Sequence, residues 1–194
     1  MDNTILTSQK KRENGFTLVE LMVTIALLSI LAAIALPNMN TFLVKMRVDN
    51  QISEIHRLLL TARNISVNTG MNTTVCPLES GVCTSNWDKE ISVFTNDSNT
   101  VDNKKYDSST ERIVKTKESL SSNDKLQFSM DSIIYTPTGR TITTTASSFN
   151  YCPKDYASAS RGVQVSSTGR VYTTSDSNGD DKDEDRDGNA IVCS

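Results

Sequence analysis

From Phe16 to Leu36 the chain reads FTLVELMVTIALLSILAAIAL, 21 residues whose only ionisable group is Glu20. At ~1.5 Å of rise per residue, a helix of this length spans roughly 31 Å, the thickness of a bilayer's hydrocarbon core. The segment reads as a membrane helix. Lys10, Lys11 and Arg12 stand just ahead of it. By the positive-inside rule they keep the N-terminus cytoplasmic and send the 157 residues after Pro37 across the membrane. Four cysteines agree with that orientation, because disulfides persist outside the reducing cytosol. A cleavable signal peptide is the alternative, with Ala33-Ile34-Ala35 as an A-x-A site ahead of Leu36. Glu20 argues against it. An ionised carboxylate in the apolar run costs about 2.5–3.5 kcal/mol at the membrane centre and calls for a partner, which a signal peptide does not supply.

Outside this stretch the chain is hydroxylic rather than charged. Its 24 Ser and 23 Thr outnumber the 23 Asp and Glu two to one, which favours an extracytoplasmic, β-rich body over a basic nucleic-acid-binding domain. With 194 residues, 37% of them hydrophobic, one globular domain is expected. The formal charge of −3 hides an asymmetry: Asp176 to Asp187 holds seven acids against Lys182 and Arg186, a net −5.

Lys11-Arg12-Glu13-Asn14-Gly15 followed by Phe16-Thr17-Leu18-Val19-Glu20 resembles the class III signal of type IV pilins and type II secretion pseudopilins. The resemblance implies that a prepilin peptidase cuts after Gly15 and methylates the new N-terminal Phe16. It extends to Pro37, where pilins carry a helix-kinking proline. The implied domains are a cleaved leader, 1–15, a transmembrane and filament-core helix, 16–37, and a periplasmic or extracellular pilin domain, 38–194. The protein would be a single-pass inner-membrane precursor that passes into a pilus. A physical reason for the pattern stands beside the resemblance. Cleavage creates an α-amine at Phe16, and Glu20, four residues on, can meet the amine of a neighbour offset along the filament axis, so that each buried charge is paired.

Beyond Pro37 the helical pattern continues in soluble form. Val48, Ile52, Ile55, Leu59 and Ala62 recur at helical spacing with Leu58 and Ile65 alongside, until Asn68-Thr69-Gly70 stops the helix. One helix is therefore expected from about Phe16 to Asn68, kinked at Pro37. The remainder reads as short strands at Thr73–Cys76, Ile91–Thr95, Arg112–Thr116, Leu126–Met130, Ile133–Thr136, Arg140–Thr144, Phe149–Cys152, Gly162–Ser166, Val171–Thr174 and Ala190–Cys193. Pro137-Thr138-Gly139 and Ser167-Thr168-Gly169 are expected as hairpin turns, and Asn96 to Ser109 as a mobile loop. The class is α+β, a long N-terminal helix laid on antiparallel sheet, which is also the pilin arrangement.

Val75-Cys76-Pro77, Cys83, Trp87 and Ile91 to Asn96, with the later units Ile134 to Arg140 and Arg161 to Val171, resemble the GspH/FimT family of minor pilins. The family implies a structural subunit at or near the tip of a type IV pilus that helps prime assembly, in adhesion, twitching motility or DNA uptake. Its partners would be the other minor pilins, the major pilin, the prepilin peptidase and the inner membrane. An H-type pseudopilin of a type II secretion system is the alternative. So is a DNA-binding competence pilin, in which Arg170 would be the contact. DNA is not favoured: the family's basic G-R-x-R reads here Gly169-Arg170-Val171-Tyr172, and the acidic segment nearby repels phosphate.

No enzyme is expected. The single histidine, His56, flanks the helical stripe without a nucleophile motif, and the eight glycines form no phosphate loop. The Cys76-x6-Cys83 spacing is unlike a zinc site. Cys76 and Cys83, close in sequence, are expected to clip a loop, leaving Cys152 to pair with Cys193; the other connectivities remain open until mapped. Asp183, Asp185 and Asp187, followed by Gly188, have the opening pattern of a calcium loop, with Asp176 to Asp180 echoing it upstream. A twelve-residue loop begun at Asp183 closes on Ser194 instead of Glu, which excludes a full EF-hand. Calcium is thus the one candidate cofactor, against a plain solvated acidic loop.

Overall fold

The structure, a computed structural model, describes residues 15–96, 104–120 and 123–193. Helix α1 runs Leu18–Thr69, and the chain divides between Asn40 and Thr41 into two compact units. The first holds the apolar part of α1. Thr17 caps it, its Oγ1 accepting the Glu20 N–H at 3.1 Å, so the short hydroxylic residue satisfies a donor that the first helical turn leaves orphaned. Among the described residues no single helix is long and apolar enough to cross a membrane, while the pieces Leu18–Ile34 and Met39–Thr69 taken together meet that measure of length and composition. Pro37 lies between them; its side chain is outside the described ones, and so is the expected kink.

Among its described residues the second unit has the rest of α1 and nine strands: β1 (Thr73–Glu79), β2 (Val82–Cys83), β3 (Ile91–Thr95), β4 (Arg112–Lys117), β5 (Lys125–Gln127), β6 (Ile133–Tyr135), β7 (Ser147–Cys152), β8 (Arg161–Val165) and β9 (Val171–Thr173). They form two antiparallel sheets, one ordered β2-β1-β3-β4 with β6 on the free side of β1, the other β5-β7-β8-β9. The helical stripe packs between them and solvent. Val44, Val48, Ile52, Ile55, Leu58, Leu59 and Ala62 are buried with Val75, Val93, Ile133, Tyr135, Phe149, Tyr151, Val163 and Val165, so one core serves both sheets. β1 and β3 are buried on both faces, because a smaller cluster of Cys76, Cys83 and Phe94 covers their far side. Trp87 closes the core, donating Nε1–H to the Met130 carbonyl at 2.7 Å and meeting Phe128 and Phe149 edge-on.

The helix stop lies where the Gly motif places it. Gly70 takes φ +69° and donates to the Ser66 carbonyl at 3.1 Å, a left-handed cap that costs glycine nothing. Two expected strands are absent. Arg140–Thr144 is the return leg of a turn, joined to its neighbour by the Tyr135–Thr141 bridge, by the Thr136 N–H on the Arg140 carbonyl at 2.8 Å and by the Ile142 N–H on the Ile134 carbonyl at 3.1 Å, and Ala190–Cys193 makes a single bridge, Glu184 to Ala190. Both are β-prone in composition, but the pairing, with the end of β6 in one case and with the acidic excursion in the other, stops after a single bridge and does not extend into a ladder. Of the expected loop Asn96 to Ser109, residues 97–103 lie outside the described ones. Its C-terminal part is ordered against β2: Cys83 donates to the Lys104 carbonyl at 2.8 Å, and Tyr106 sits edge-on to Phe94.

Candidate functional site

At the N-terminus, Gly15 has open space around it and Phe16 is exposed, an extended entry to a helix whose described side chains from Phe16 to Ile34 are all exposed. Glu20 is among them. Its amide is spent on the Thr17 cap, while its carboxylate makes no hydrogen bond or ion pair with any described residue. An apolar helix with exposed sides and a carboxylate that no described residue partners presents a surface of the kind that lipid or other helices cover.

At the other end of the chain, a disulfide joins Cys152 on β7 to Cys193, and a second joins Cys76 to Cys83 across the β1–β2 turn. The first closes the acidic segment into an excursion that folds back on the second sheet. The segment does not bring Asp183, Asp185 and Asp187 together. Asp183 is buried and accepts from the Thr174 hydroxyl at 2.8 Å, with Arg161 Nε 3.7 Å away. Asp185 turns toward its own loop, accepting from the amides of Asp187 and Asn189, each at 2.9 Å. The acids that do converge are Asp176, Asp180 and Glu184. Buried Glu184 accepts from the Ser177 amide and hydroxyl at 2.8 Å and from Asn178 Nδ2 at 3.1 Å. The D-S-N-G-D run upstream was the sequence signal for this cluster.

These amides hold the charge. The Gly179 N–H at 2.6 Å and the Asp181 N–H at 3.0 Å keep the Asp176 carboxyl below the usual range. At Asp185 partial desolvation opposes ionisation, and the Asn189 and Asp187 donors outweigh it, again lowering the pKa. Arg161 ties the excursion to the helix: its Nη1 pairs with Asp49 at 2.5 Å, while its Nε faces Asp183.

Arg170 is exposed and stands at the end of a turn that repeats an earlier one. In Thr136 to Arg140 and Ser166 to Arg170 the first residue's amide donates to the arginine carbonyl (2.8 and 2.9 Å), and the glycine amide donates back to the first residue (2.8 Å in both). In each, the first and third hydroxyls hydrogen-bond at 2.9 Å. The two turns are stacked, because a Cβ on Gly169 would overlap the Gly139 carbonyl oxygen, and Thr141 Oγ1 donates to the Ser166 and Ser167 carbonyls at 3.3 Å. Gly139 in turn rests on α1, accepting from Arg63 Nε at 2.9 Å. Tyr172, where the family's second arginine would stand, is covered by the Arg186 guanidinium at 4.1 Å.

One cluster has no sequence signal at all. Asp124, fully buried, receives Arg47 Nη2 at 3.3 Å, the Tyr151 hydroxyl at 2.7 Å and the Lys154 amide at 2.9 Å, with Arg47 Nε 2.9 Å away. It braces α1 against the second sheet; desolvation first, and the carboxylate second, raise the Tyr151 pKa. His56 is half-buried on α1 and joins no such group.

Residues 10–36 match the prokaryotic N-terminal methylation motif, and residues 51–169 match the type II transport protein GspH. The chain belongs to the GspH family. The match ends at Gly169, so the acidic excursion lies beyond it. The chain is 39% identical over 54 residues to a fimbrial protein of Pseudomonas aeruginosa, covering 28% of this chain and 35% of that protein. It is 37% identical over 71 residues to the fimbrial protein EcpB of Eikenella corrodens, covering 37% of this chain and 44% of that one. The matched segments thus span less than half of either relative. In fold it is similar to the crystal structure of the type IV minor pilin FimU of P. aeruginosa PAO1, with a TM-score of 0.54 at 14% identity over 69% of this chain and 92% of that one. The fold is the pilin-like α+β fold, and GspH family members are structural pilin or pseudopilin subunits, not enzymes.

Proposed function

We propose that this GspH family member is a minor pilin of a type IV pilus, placed at or near the tip, where it helps prime assembly. The observation that carries the reading is the bare apolar helix with the unpartnered Glu20 carboxylate four residues from Phe16. Cutting after Gly15 places a cation on the helix that a neighbour's Glu20 can neutralise, which selects an axially offset helix in lipid, where apolar packing alone discriminates little. Before assembly the same helix anchors the precursor in the inner membrane, with Lys10, Lys11 and Arg12 on the cytoplasmic side. The fimbrial relatives and the likeness to FimU support a pilus, and the minor-pilin likeness supports the tip. The second reading, an H-type pseudopilin of a secretion system, is favoured by the match to GspH over residues 51–169.

The test is recovery from sheared filaments. Protein from pili should begin at methylated Phe16, and Glu20→Ala should be cleaved and membrane-bound yet absent from the filaments. Normal filament levels of Glu20→Ala, or an N-terminus at Leu36, would overturn the reading; loss of secretion with intact pili on deletion would replace it with the pseudopilin.

A further inference from the structure

We propose that the outer face of the second sheet is a binding groove for a neutral oligosaccharide. Side chains alternate along each strand, so with Leu126, Phe149, Tyr151, Val163 and Val165 in the core, Gln127, Ser148, Asn150 and Gln164 point away from it. Strand pairing sets these side by side: Gln127 is opposite Asn150, Ser148 opposite Gln164, and Gln164 opposite Tyr172 on β9. Such neighbours lie about 5 Å apart, and from β5 to β9 the row spans about 14 Å. Two hollows lie on it. One, of about 530 Å³, is lined by Asn86, Phe128, Ser148 and Asn150 among others; the second, of about 290 Å³, by Gln164, Tyr172, Glu184 and Arg186 among others. Because Ser148 and Gln164 are partners in the ladder, the hollows adjoin and make one groove.

Gln164 carries the argument. It is only 7% exposed, and its side chain has no hydrogen-bond partner among the described residues. Its amide atoms are not sealed off, so they open on the hollow that the residue lines. Folds leave few buried amides unpaired, because each one forfeits its hydrogen bonds to water. A ligand hydroxyl repairs this from either side, since it can donate to the amide oxygen or accept from the amide nitrogen. The rest of the lining has matching chemistry. Phe128, half-buried, lies flat on buried Phe149 with centroids 3.9 Å apart, and its remaining surface gives the C–H face of a sugar ring an apolar seat. The charged groups are already occupied: Lys125 pairs with Asp88 at 2.8 Å, Glu184 accepts from Ser177 and Asn178, and Arg186 covers Tyr172. A fitting ligand therefore carries many hydroxyls and no charge, and the acidic excursion beside the groove repels an anionic one. Glu184 and Arg186 belong to that excursion, so a segment beyond the residues matched to GspH completes the groove. The inference holds for a pilus or a secretion system alike.

The experiment titrates the full-length chain, held in a detergent without a sugar headgroup, with chitotetraose, cellotetraose and maltotetraose, and with a heparin tetrasaccharide as the anionic control. Calorimetry should show saturable binding of at least one neutral tetrasaccharide, and binding of the heparin fragment at least about tenfold weaker. Gln164→Leu fills the same space without the amide, so it should leave the melting temperature unchanged or raised while weakening the neutral sugar about tenfold. Asn86→Ala alters an exposed loop position at the far end of the groove and should weaken the same sugar by a similar factor. It decides the matter should Gln164→Leu fail to fold. Binding of none of the neutral tetrasaccharides, equal binding of the heparin fragment, or unchanged affinity in either folded variant overturns the proposal.

Discussion

Removing the Cys152–Cys193 bridge tests how the acidic excursion is held. The bridge spans 41 residues, and in the chain-entropy model closing a loop of that length stabilises the fold by about 4 kcal/mol. The Cys76–Cys83 bridge spans 7, for which the same relation yields about 2.4 kcal/mol. Cys152→Ala/Cys193→Ala should therefore cost more than Cys76→Ala/Cys83→Ala, although the second pair is the more buried. A loss of 4 kcal/mol lowers the urea midpoint by about 2 M at a slope of about 2 kcal/mol/M. Trp87, the single tryptophan and 1% exposed, supplies the fluorescence signal. Opening the bridge also frees seven acids to move apart, so proteolysis between 176 and 189 should rise in the same variant. A midpoint shift below about 0.5 M, or equal losses for the two pairs, would refute the closure argument.

The buried brace is open to the same titration. Asp124→Asn keeps the size but removes the charge opposite Arg47, at a cost of about 2–4 kcal/mol, whereas Tyr151→Phe should cost about 1 kcal/mol; additive losses in the double variant would count against one shared network. Lys117 is buried beside Glu54 at 3.7 Å, and desolvation outweighs that attraction, holding its pKa below 10.5. Lys117→Met should be neutral or stabilising by about 1 kcal/mol. Because the folded pKa is the lower one, the native chain should regain stability relative to Lys117→Met as pH rises toward 10.5; a flat difference contradicts this. Asp176 and Asp185 are also lowered, but in an acid a lowered pKa favours the charged form: their contribution is present above pH 3.8 and lost as pH falls through their lower folded values. Hydrogen exchange at Gly179 and Asp187 should quicken there, and Asp176→Asn should remove the effect at Gly179 alone.

What the sequence alone determined is local. The apolar run and Glu20 define an anchor that needs a partner, because the cost of a carboxylate in hydrocarbon depends on no tertiary detail. The Val48 to Ala62 stripe and the stop at Gly70 are properties of a 3.6-residue period and of one residue tolerant of positive φ, and the structure has them in place. The α+β class and most strands follow from alternation. Arg140–Thr144 and Ala190–Cys193 fail as strands because β-propensity marks a residue that fits a half-buried sheet, and whether a sheet edge is there to receive it is settled elsewhere in the chain. Distance in sequence hid the rest. Asp124 meets Arg47 and Tyr151 across 77 and 27 residues, and no spacing rule links them. The D-x-D-x-D pattern put Asp183, Asp185 and Asp187 on one ion, but Thr174 and Arg161 draw Asp183 inward and leave Asp176, Asp180 and Glu184 as the group that converges. The two G-R turns could be read singly from Gly and Thr. That they stack, and so bring Arg63, Arg140 and Arg170 to one place, is decided by the contact of turn on turn and of turn on α1, which no local pattern encodes because the segments are distant in sequence.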